Sequence, residues 1–500
     1  MKQLIHNGIL IPRKPDWKRL YITIQGRRVD LTPEQEEMAF AWVKKLGTEY
    51  TEDPVFAKNF VTDFCKALDL NPAVSVEHFD FLPVIRKVEK ERAYKMSLTR
   101  EQKKRLAAKR KAVRDENKEK YGFALVDGVK VEVGNYTAEP SSIFMGRGSH
   151  PSRGRWKVGP DEPNIILNLS PDAPRPIGNW REIVWQPNSM WIAKWHDKLS
   201  GREKYVWLAD SSPMKQQKDI EKFNKAIKLG MKIDDVRGYI ALNLETEDDT
   251  KRKIATVCYL IDTLKLRVGD EKDPDEADTV GATTLRPEHI KLSEKNMVSF
   301  DFLGKDAVRW QKSLRLPPKV ISNIQDFMAS TASSIFEGVN SQNVSLFLDK
   351  VVPGVSAKVF RTYHATEVVN DFLNSFAISK QDQEYKKKHI ATMANLEAAI
   401  TCNHKRKPPK KWKESLAKKK ERLKKLLEKG TVSANKKAEI LKYKIKAYRE
   451  TRDYNLGTSL KSYIDPRVYY RWGQKVQFDW KLYYPKTLQK KFSWVERKAI

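Results

Sequence analysis

Cysteine is scarce in this sequence, and long apolar runs are missing. The chain of 500 residues has three cysteines, Cys65, Cys258 and Cys402, which lie far apart and form no CxxC pair. This excludes a disulfide-built secreted scaffold and fits a reducing compartment. No apolar run approaches the roughly 18 residues of a membrane span, and the opening MKQLIHNGILIPRKPDW is too interrupted by Asn, Gly and Pro to serve as an anchor or signal. No association with a membrane is therefore expected.

Motifs for nucleotides and metals are missing as well. The sequence contains no Walker motif and no carboxylate cluster suited to magnesium. Cys402 and His404 lie close together, but one thiolate and one imidazole without a second pair fall short of a zinc site. We therefore expect no nucleotide cofactor, no metal and no other cofactor.

Acidic residues are too few to balance the basic ones. The chain has 95 Lys and Arg against 64 Asp and Glu, which gives a net charge of +31, and the sequence pI is about 9.7. Such a charge predicts a polyanionic partner, whose binding weakens with salt as condensed counterions are released. A membrane surface would also attract the charge, but the sequence offers nothing to insert there.

The chain length predicts two to four domains with real hydrophobic cores. Two capping boxes predict helix starts, one at Thr32 with Gln35 and one at Thr99 with Gln102. Residues 84–121 are almost all helix formers with a dense basic face, which is more typical of a solvated surface helix than of direct base reading. Short β-rich runs follow over 123–207, where Trp191, Trp195 and Trp207 are interpreted as core residues.

The second half of the chain is predicted to be mainly helical. Helices are expected over 216–262 and over 318–348, and a β-hairpin over 297–310 with Lys305 at its tip. Residues 410–452 predict a lysine-rich pair of antiparallel helices. One apolar stripe of this pair consists of Trp412, Leu416, Leu423 and Leu427, and its complement consists of Ala438, Leu441, Ile445 and Tyr448.

The stretch from Asn455 to Arg467, NLGTSLKSYIDPR, is the most informative one. Pro466 disfavours a helical residue before it, so the preceding helix should end near Tyr463. A phenol titrates near 10, so it becomes a nucleophile at neutral pH only where cations stabilise the phenolate. For a tyrosine chosen at random, a partly buried structural role is the far commoner one.

Several elements resemble the eukaryotic-type DNA topoisomerase IB family in sequence and in order. The segment LGTSLKSYIDPRV resembles the family's active-site segment, and FMGRGSHP at 144–151 resembles its FRGRGNHP element. The other elements are LKLRVGDEK at 264–272, ADTVG at 277–281, LRPEHI at 285–290, FDFLGKD at 300–306, AKVFRTYH at 357–364 and CNHKRKPP at 402–409. The chain departs from the family pattern at Met145, His364 and Ser462. It also lacks the long charged N-terminal extension of eukaryotic members, and in this respect it looks archaeal.

The resemblance implies a set of site residues. Tyr463 is the implied nucleophile, Arg267, Arg361 and His404 the implied donors to the phosphate oxygens, and Lys305 the implied proton donor to the 5′ oxygen. His404 is preferred to His364 as the family histidine. The implied DNA contacts are Arg147, Lys204, Lys272, Asp306 and Thr458.

The resemblance also implies the architecture and the activity. It predicts an α+β multidomain clamp: a mixed α/β DNA-binding cap at 1–212, a mainly α catalytic lobe with a β-hairpin at 213–408, an antiparallel coiled-coil linker at 409–452 and a small helical C-terminal domain at 453–500. The predicted protein is a monomeric type IB topoisomerase of double-stranded DNA. It relaxes positive and negative supercoils through a 3′-phosphotyrosine, without ATP or metal. The predicted location is the nucleoid of an archaeal-like cytoplasm, or the nucleus in a eukaryote.

Two other kinds of protein could share the basic charge or the Arg, Lys, His and Tyr residues of this sequence. A tyrosine recombinase has similar Arg, Lys, His and Tyr chemistry, but the cap and linker argue against it. A non-catalytic basic protein, such as an RNA-assembly factor, explains the charge of +31. It does not require Lys305, Arg361, His404 and Tyr463 in these contexts.

Overall fold

The computed structural model describes residues 1–70, 75–270, 278–331 and 333–498. The chain combines helices with several small sheets, so the predicted mixed α+β class is confirmed. It divides into two compact units, of which the first comprises residues 1–212 and the second begins at Pro213. No helix within the described residues is long and apolar enough to cross a membrane.

Among its described residues, the first unit has four α-helices beside short strands. The helices are α1 (Pro33–Val43), α2 (Pro54–Ala67), α3 (Leu82–Ser97) and α4 (Arg100–Tyr121). The strands are β1 (Leu4–His6), β2 (Tyr21–Ile24), β3 (Arg27–Asp30), β4 (Phe79–Asp80), β5 (Phe123–Val126), β6 (Val129–Glu132), β7 (Ser142–Ile143), β8 (Trp156–Lys157), β9 (Ile165–Asn168), β10 (Glu182–Val184), β11 (Trp191–Asp197) and β12 (Arg202–Trp207). They form sheets of order β1-β5-β6, β3-β2-β4, β10-β9-β11-β12 and β7-β8, and only the β9–β10 pair is parallel among them.

Both predicted capping boxes are confirmed. Thr32 accepts from the Gln35 amide at the start of α1, and Thr99 accepts from the Gln102 amide at the start of α4. The helical region predicted over 84–121 is divided at Leu98, because the extended N-cap at Thr99 begins a new helix. None of the residues of α4 is buried, which leaves its basic side chains in solvent.

One of the three tryptophans interpreted as core residues is not in the core. Trp191 and Trp195 are buried, whereas Trp207 is 39% exposed. Strand β12 alternates its faces, and Val206 takes the buried side. Trp207 therefore lies on the outer face, where its ring centroid is 5.0 Å from that of Tyr205.

The second unit is mainly helical. Its helices are α5 (Pro213–Met231), α6 (Ile233–Leu244), α7 (Asp249–Leu264), α8 (Pro318–Ala329), α9 (Ser341–Asp349), α10 (Ala357–Ser375), α11 (Glu384–Thr401), α12 (Trp412–Glu428), α13 (Val432–Glu450), α14 (Leu456–Ser462), α15 (Pro466–Val476), α16 (Lys486–Lys491) and α17 (Val495–Lys498). The single helical region predicted over 216–262 is three helices, because Lys232 interrupts it and Asp248 caps a new start.

The predicted hairpin is confirmed. Strands β14 (Met297–Gly304) and β15 (Val308–Arg315) pair antiparallel, and β13 (Ile290–Ser293) adds a third strand on the other side of β14. Val298, Phe300 and Phe302 are buried in the core of the unit, as their alternation predicts. The turn at residues 305–307 is therefore held by a rigid strand pair.

Helices α12 and α13 run antiparallel, since the Trp412 ring at the start of α12 stacks on the Tyr448 ring at the end of α13 at 5.7 Å. The interpretation of their seam was wrong in one respect. No residue of α12 is buried, and Leu427 is 47% exposed. Helix α13 also packs on α11, where the Tyr443 ring lies 5.3 Å from that of Tyr385. The buried face of α13 therefore packs on α11 as well as on α12.

The C-terminal segment packs on α5 and α10 through an aromatic core that includes Tyr469, Phe492 and Trp494. Polar contacts join the same elements. Gln216 Nε2 donates to the Lys490 carbonyl oxygen at 2.9 Å, and the Lys491 ammonium lies 3.1 Å from the Asp219 carboxylate. These contacts hold α15 and α16 against α5 and α10.

Candidate active site

Tyr463 lies at the C-terminal end of α14, as the following proline predicts. Asp465 then caps α15: its carboxylate accepts from the Arg467 amide at 2.9 Å and forms an ion pair with the Arg467 guanidinium at 2.7 Å. The Tyr463 side chain is half-buried. Two helix ends thus hold the tyrosine at a fixed turn instead of in a loose loop.

Arg361 projects from α10 and is 5% exposed. Its guanidinium donates to the Lys265 carbonyl oxygen at 2.6 Å and to the Cys402 carbonyl oxygen at 2.7 Å. The guanidinium carbon lies 5.1 Å from the centroid of the Tyr463 ring. Carbonyl acceptors satisfy two of its donors, so the buried charge is held in one orientation beside the tyrosine.

Arg267 lies on the segment that follows α7, and its guanidinium carbon is 5.9 Å from the Tyr463 ring centroid. The segment is fixed by backbone contact with residues 281–283. The Arg267 carbonyl accepts from the Ala282 amide at 2.8 Å. A Cβ at Gly281 would lie 2.4 Å from the Gly269 Cα, so this approach requires glycine.

His404 follows α11 and is 7% exposed. Its Nδ1 lies 2.7 Å from Ser459 Oγ, its Nε2 lies 3.3 Å from Arg361 Nη2, and its ring centroid is 5.1 Å from that of Tyr463. Burial, together with the charges of Arg361 and Arg267, lowers the pKa of His404 to about 3. The imidazole is therefore neutral at physiological pH in the free site.

A pocket opens in front of these side chains. Lys305 is half-buried and Asp306 is exposed at the hairpin turn, where Asp306 has a φ of 64°. The pocket lining includes Arg267, Lys305, Asp306, Arg361, His404 and Thr458. The structure thus brings together six of the residues that the sequence singles out, and Tyr463 contacts three of them.

Other predicted residues lie elsewhere or cannot be placed. Arg147 is exposed on a loop of the first unit between Gly146 and Gly148, which both have positive φ. Lys204 lies on β12 of the same unit, opposite Trp195. Lys272 lies outside the residues that the structure describes.

His364, the other histidine considered, has a different environment. Its Nε2 lies 2.7 Å from Asp262 Oδ1, and the same carboxylate lies 2.8 Å from Arg237 Nε. Burial lowers the pKa of His364, so the ring is a neutral donor to the carboxylate. Its ring joins α10 to α7 and does not line the pocket.

Sequence reasoning missed two hydroxyl groups. Ser459 contacts His404, and Thr366 contacts the backbone of the turn that carries Tyr463. Ser459 lies one helical turn before Tyr463, and Thr366 lies little more than one turn after Arg361. Helical spacing from the known residues could have found both, but neither residue type is distinctive by itself.

Sets of three or more His, Cys, Asp or Glu side chains able to hold a metal ion do not occur among the described residues. The polar groups around Tyr463 are instead arginine and neutral imidazole. Cationic hydrogen-bond donors in a partly buried pocket suit an anionic ligand such as a phosphodiester.

Three family models match consecutive parts of the chain. Residues 1–208 match the DNA-binding fragment of eukaryotic DNA topoisomerase I, residues 211–438 match its catalytic core, and residues 435–499 match a C-terminal topoisomerase domain. Together they span nearly the whole sequence.

Curated relatives agree with the family models. The chain is 34% identical to DNA topoisomerase 1 beta of Arabidopsis thaliana, over 99% of this chain and 58% of that protein. It is 31% identical to DNA topoisomerase 1 of Daucus carota, over 98% of this chain and 71% of that protein. It is 30% identical to DNA topoisomerase 1 of Homo sapiens, over 99% of this chain and 70% of that protein. The chain thus spans little more than half the length of the Arabidopsis relative.

Proposed function

Since the chain belongs to the eukaryotic-type DNA topoisomerase IB family, we propose that it relaxes positively and negatively supercoiled double-stranded DNA by transient cleavage of one strand. The observation that carries the proposal is the convergence of Arg267, Arg361 and His404 on the Tyr463 ring. A tyrosine with only a structural role would not require two arginines and a histidine around its ring.

The proposed reaction begins when Tyr463 Oη attacks a backbone phosphorus. The Tyr463 O–H proton passes to water, the P–O5′ bond breaks, and Lys305 protonates the leaving 5′ oxygen. The product is a 3′-phosphotyrosine and a free 5′ hydroxyl, and the duplex segment that carries this hydroxyl rotates about the intact strand. Attack by that hydroxyl reverses each step and restores the phosphodiester.

The basic side chains act on the charge that builds at phosphorus. Arg267 and Arg361 donate to the non-bridging oxygens, where a pre-organised donor is typically worth about 10²–10³ in rate. Burial of Arg361 and His404 supports this role, because electrostatic interactions strengthen where water is excluded. The phosphotyrosine keeps the energy of the phosphodiester, so the proposal requires neither ATP nor a metal.

The proposed architecture follows the family. Residues 1–212 form a DNA-binding cap and residues 213–408 a catalytic lobe, which together enclose the duplex as a clamp. Residues 409–452 form a coiled-coil linker, and residues 453–500 carry the nucleophile. Arg147, Lys204, Lys272, Asp306 and Thr458 are proposed DNA contacts, and the protein acts as a monomer.

The proposed location is the nucleus of a eukaryotic cell, since the Arabidopsis, Daucus and human relatives are eukaryotic. The expected archaeal, nucleoid-associated location has no support in these relatives.

The test is relaxation of supercoiled plasmid in EDTA without ATP. Wild type is expected to relax both signs of supercoil, and Tyr463→Phe is expected to bind the plasmid without relaxing it. Tyr470→Phe, a partly buried tyrosine on α15, is the matched control and should stay active. On a linear duplex labelled at one 5′ end, denaturation during turnover should leave the protein attached to the labelled upstream fragment.

Two results would contradict the proposal. Binding without relaxation by wild type would favour the non-catalytic basic protein. Cleavage confined to one sequence, with joining of two duplexes, would favour a recombinase.

A further inference from the structure

The environment of His404 contains a partner that the proposed reaction does not use. Ser459 Oγ lies 2.7 Å from His404 Nδ1, and Ser459 is fully buried. Ser459 lies on α14, one turn before Tyr463, and its carbonyl oxygen accepts from the Tyr463 amide at 2.9 Å. The serine therefore links the imidazole to the helix end that carries the tyrosine.

The hydrogen bonds define the tautomer in the free site. Arg361 Nη2 lies 3.3 Å from His404 Nε2, and a guanidinium can only donate. A neutral imidazole that accepts at Nε2 carries its proton on Nδ1. Nδ1–H consequently donates to Ser459 Oγ.

We infer that Ser459 is a positioning residue for His404, which holds the imidazole with Nε2 toward the pocket through the change of protonation that phosphate binding requires. This inference rests on the proposed function. A phosphoryl oxygen at Nε2 needs a donor there, whereas the free site presents a lone pair.

Two proton transfers can place a donor at His404 Nε2. In the first, Nε2 takes a proton from solvent, the ring becomes imidazolium and Nδ1–H continues to donate to Ser459. In the second, Nδ1 releases its proton to solvent, Nε2 takes one up, and the Ser459 hydroxyl turns to donate to Nδ1. A hydroxyl both accepts and donates, so serine fits either state.

The test is single-turnover cleavage of a duplex oligonucleotide by the full chain. Ser459→Ala is expected to slow cleavage by about tenfold or more, with DNA affinity unchanged, because Nδ1 loses the hydroxyl that it contacts at 2.7 Å. Ser459→Thr keeps the hydroxyl and should recover most of the rate. Ser345→Ala, which removes a hydroxyl that donates to its own helix at the Ser341 carbonyl, is the matched control and should cleave normally.

A double-mutant cycle separates positioning from general damage. In a His404→Ala background, Ser459→Ala should cause no further loss. Nitrogen-15 spectra of His404 should report an Nδ1-protonated ring in the free wild type and a changed tautomer balance in Ser459→Ala. If Ser459→Ala does not fold, Ser459→Cys takes its place.

The outcomes distinguish the two proposals. Cleavage by Ser459→Ala at the wild-type rate, or an equal loss in the His404→Ala background, would overturn the inference and leave the function intact. A wild type that never cleaves would overturn the proposed function and this inference with it.

Discussion

The Thr366 hydroxyl bridges the turn of Tyr463: it donates to the Tyr463 carbonyl oxygen at 3.4 Å and accepts from the Asp465 amide at 3.1 Å. Thr366 lies on α10, the helix that carries Arg361. The backbone of Tyr463 and one of the arginines beside its ring are therefore attached to the same rigid element.

Thr366→Val removes the bridge while keeping the shape of the side chain. The buried Asp465 amide then lacks its acceptor, which should cost about 1 kcal/mol of stability and slow cleavage several-fold or more. Single-turnover cleavage and thermal unfolding measure the two effects. Thr366→Ser retains the hydroxyl and should behave almost as wild type, and an equal defect in both variants would show that the methyl group is what matters.

Arg361→Lys keeps the charge but loses the planar fork. A lysine cannot reach the Lys265 and Cys402 carbonyls together, so we expect relaxation to fall by roughly 10²–10³ with DNA affinity retained. Plasmid relaxation and a binding titration on the same preparation measure this. Activity within a few-fold of wild type would mean that positive charge alone suffices at this position.

Arg147 and Arg153 on one loop should respond differently to removal. Arg153 is bound to Asp53 at 3.0 Å and donates to the Gly148 carbonyl at 2.7 Å, so Arg153→Ala should lower the Tm. Arg147→Ala should weaken DNA binding and reduce the salt slope of log K by about 1. An unchanged salt slope of log K for Arg147→Ala would show that Arg147 does not contact DNA.

Asp262→Asn tests the buried pair that holds α7 to α10. Burial acts to raise the pKa of Asp262, but hydrogen bonds from His364 and Arg237 outweigh it and lower the pKa to about 2. A depressed carboxyl pKa stabilises the fold above its unfolded value near 4, and this stabilisation is lost as pH falls toward 2. The expected loss in Asp262→Asn is about 2 kcal/mol at pH 7.

The difference in Tm between wild type and Asp262→Asn should therefore be full at pH 7 and smaller at pH 3. Asp234→Asn is the control, because Asp234 is an exposed partner of the same Arg237 at 4.0 Å. A difference that stays constant with pH would mean that shape, and not charge, makes Asp262 important.

Trp412→Ala tests how α12 is held. The ring stacks on Tyr448, and its Nε1 donates to the Tyr448 carbonyl at 3.3 Å. Their loss should cost roughly 1 kcal/mol locally and speed amide hydrogen exchange over 412–428, with α14 unaffected. Equal exchange in both proteins would show that Trp412 does not hold the helix pair.

The sequence by itself determined features that depend on near neighbours. Thr32 and Thr99 predict their helix starts because a capping box is a contact within four residues. The hairpin of 297–310 follows from alternation along two short strands, and the helix end at Tyr463 follows from Pro466. The family resemblance supplied the predicted site residues.

Only the tertiary structure decided how those residues meet. The environments of His364 and His404 depend on which carboxylate, arginine or hydroxyl another helix brings, and no local pattern encodes that. The same holds for Ser459, whose contact with His404 depends on α14 packing on α11, and for Thr366, whose contact depends on the Tyr463 turn reaching α10. It holds also for Trp207, whose face depends on the sheet around it. Local hydrogen bonds and periodicity depend on residues that are near in sequence. Burial and charge environment arise only when distant segments pack.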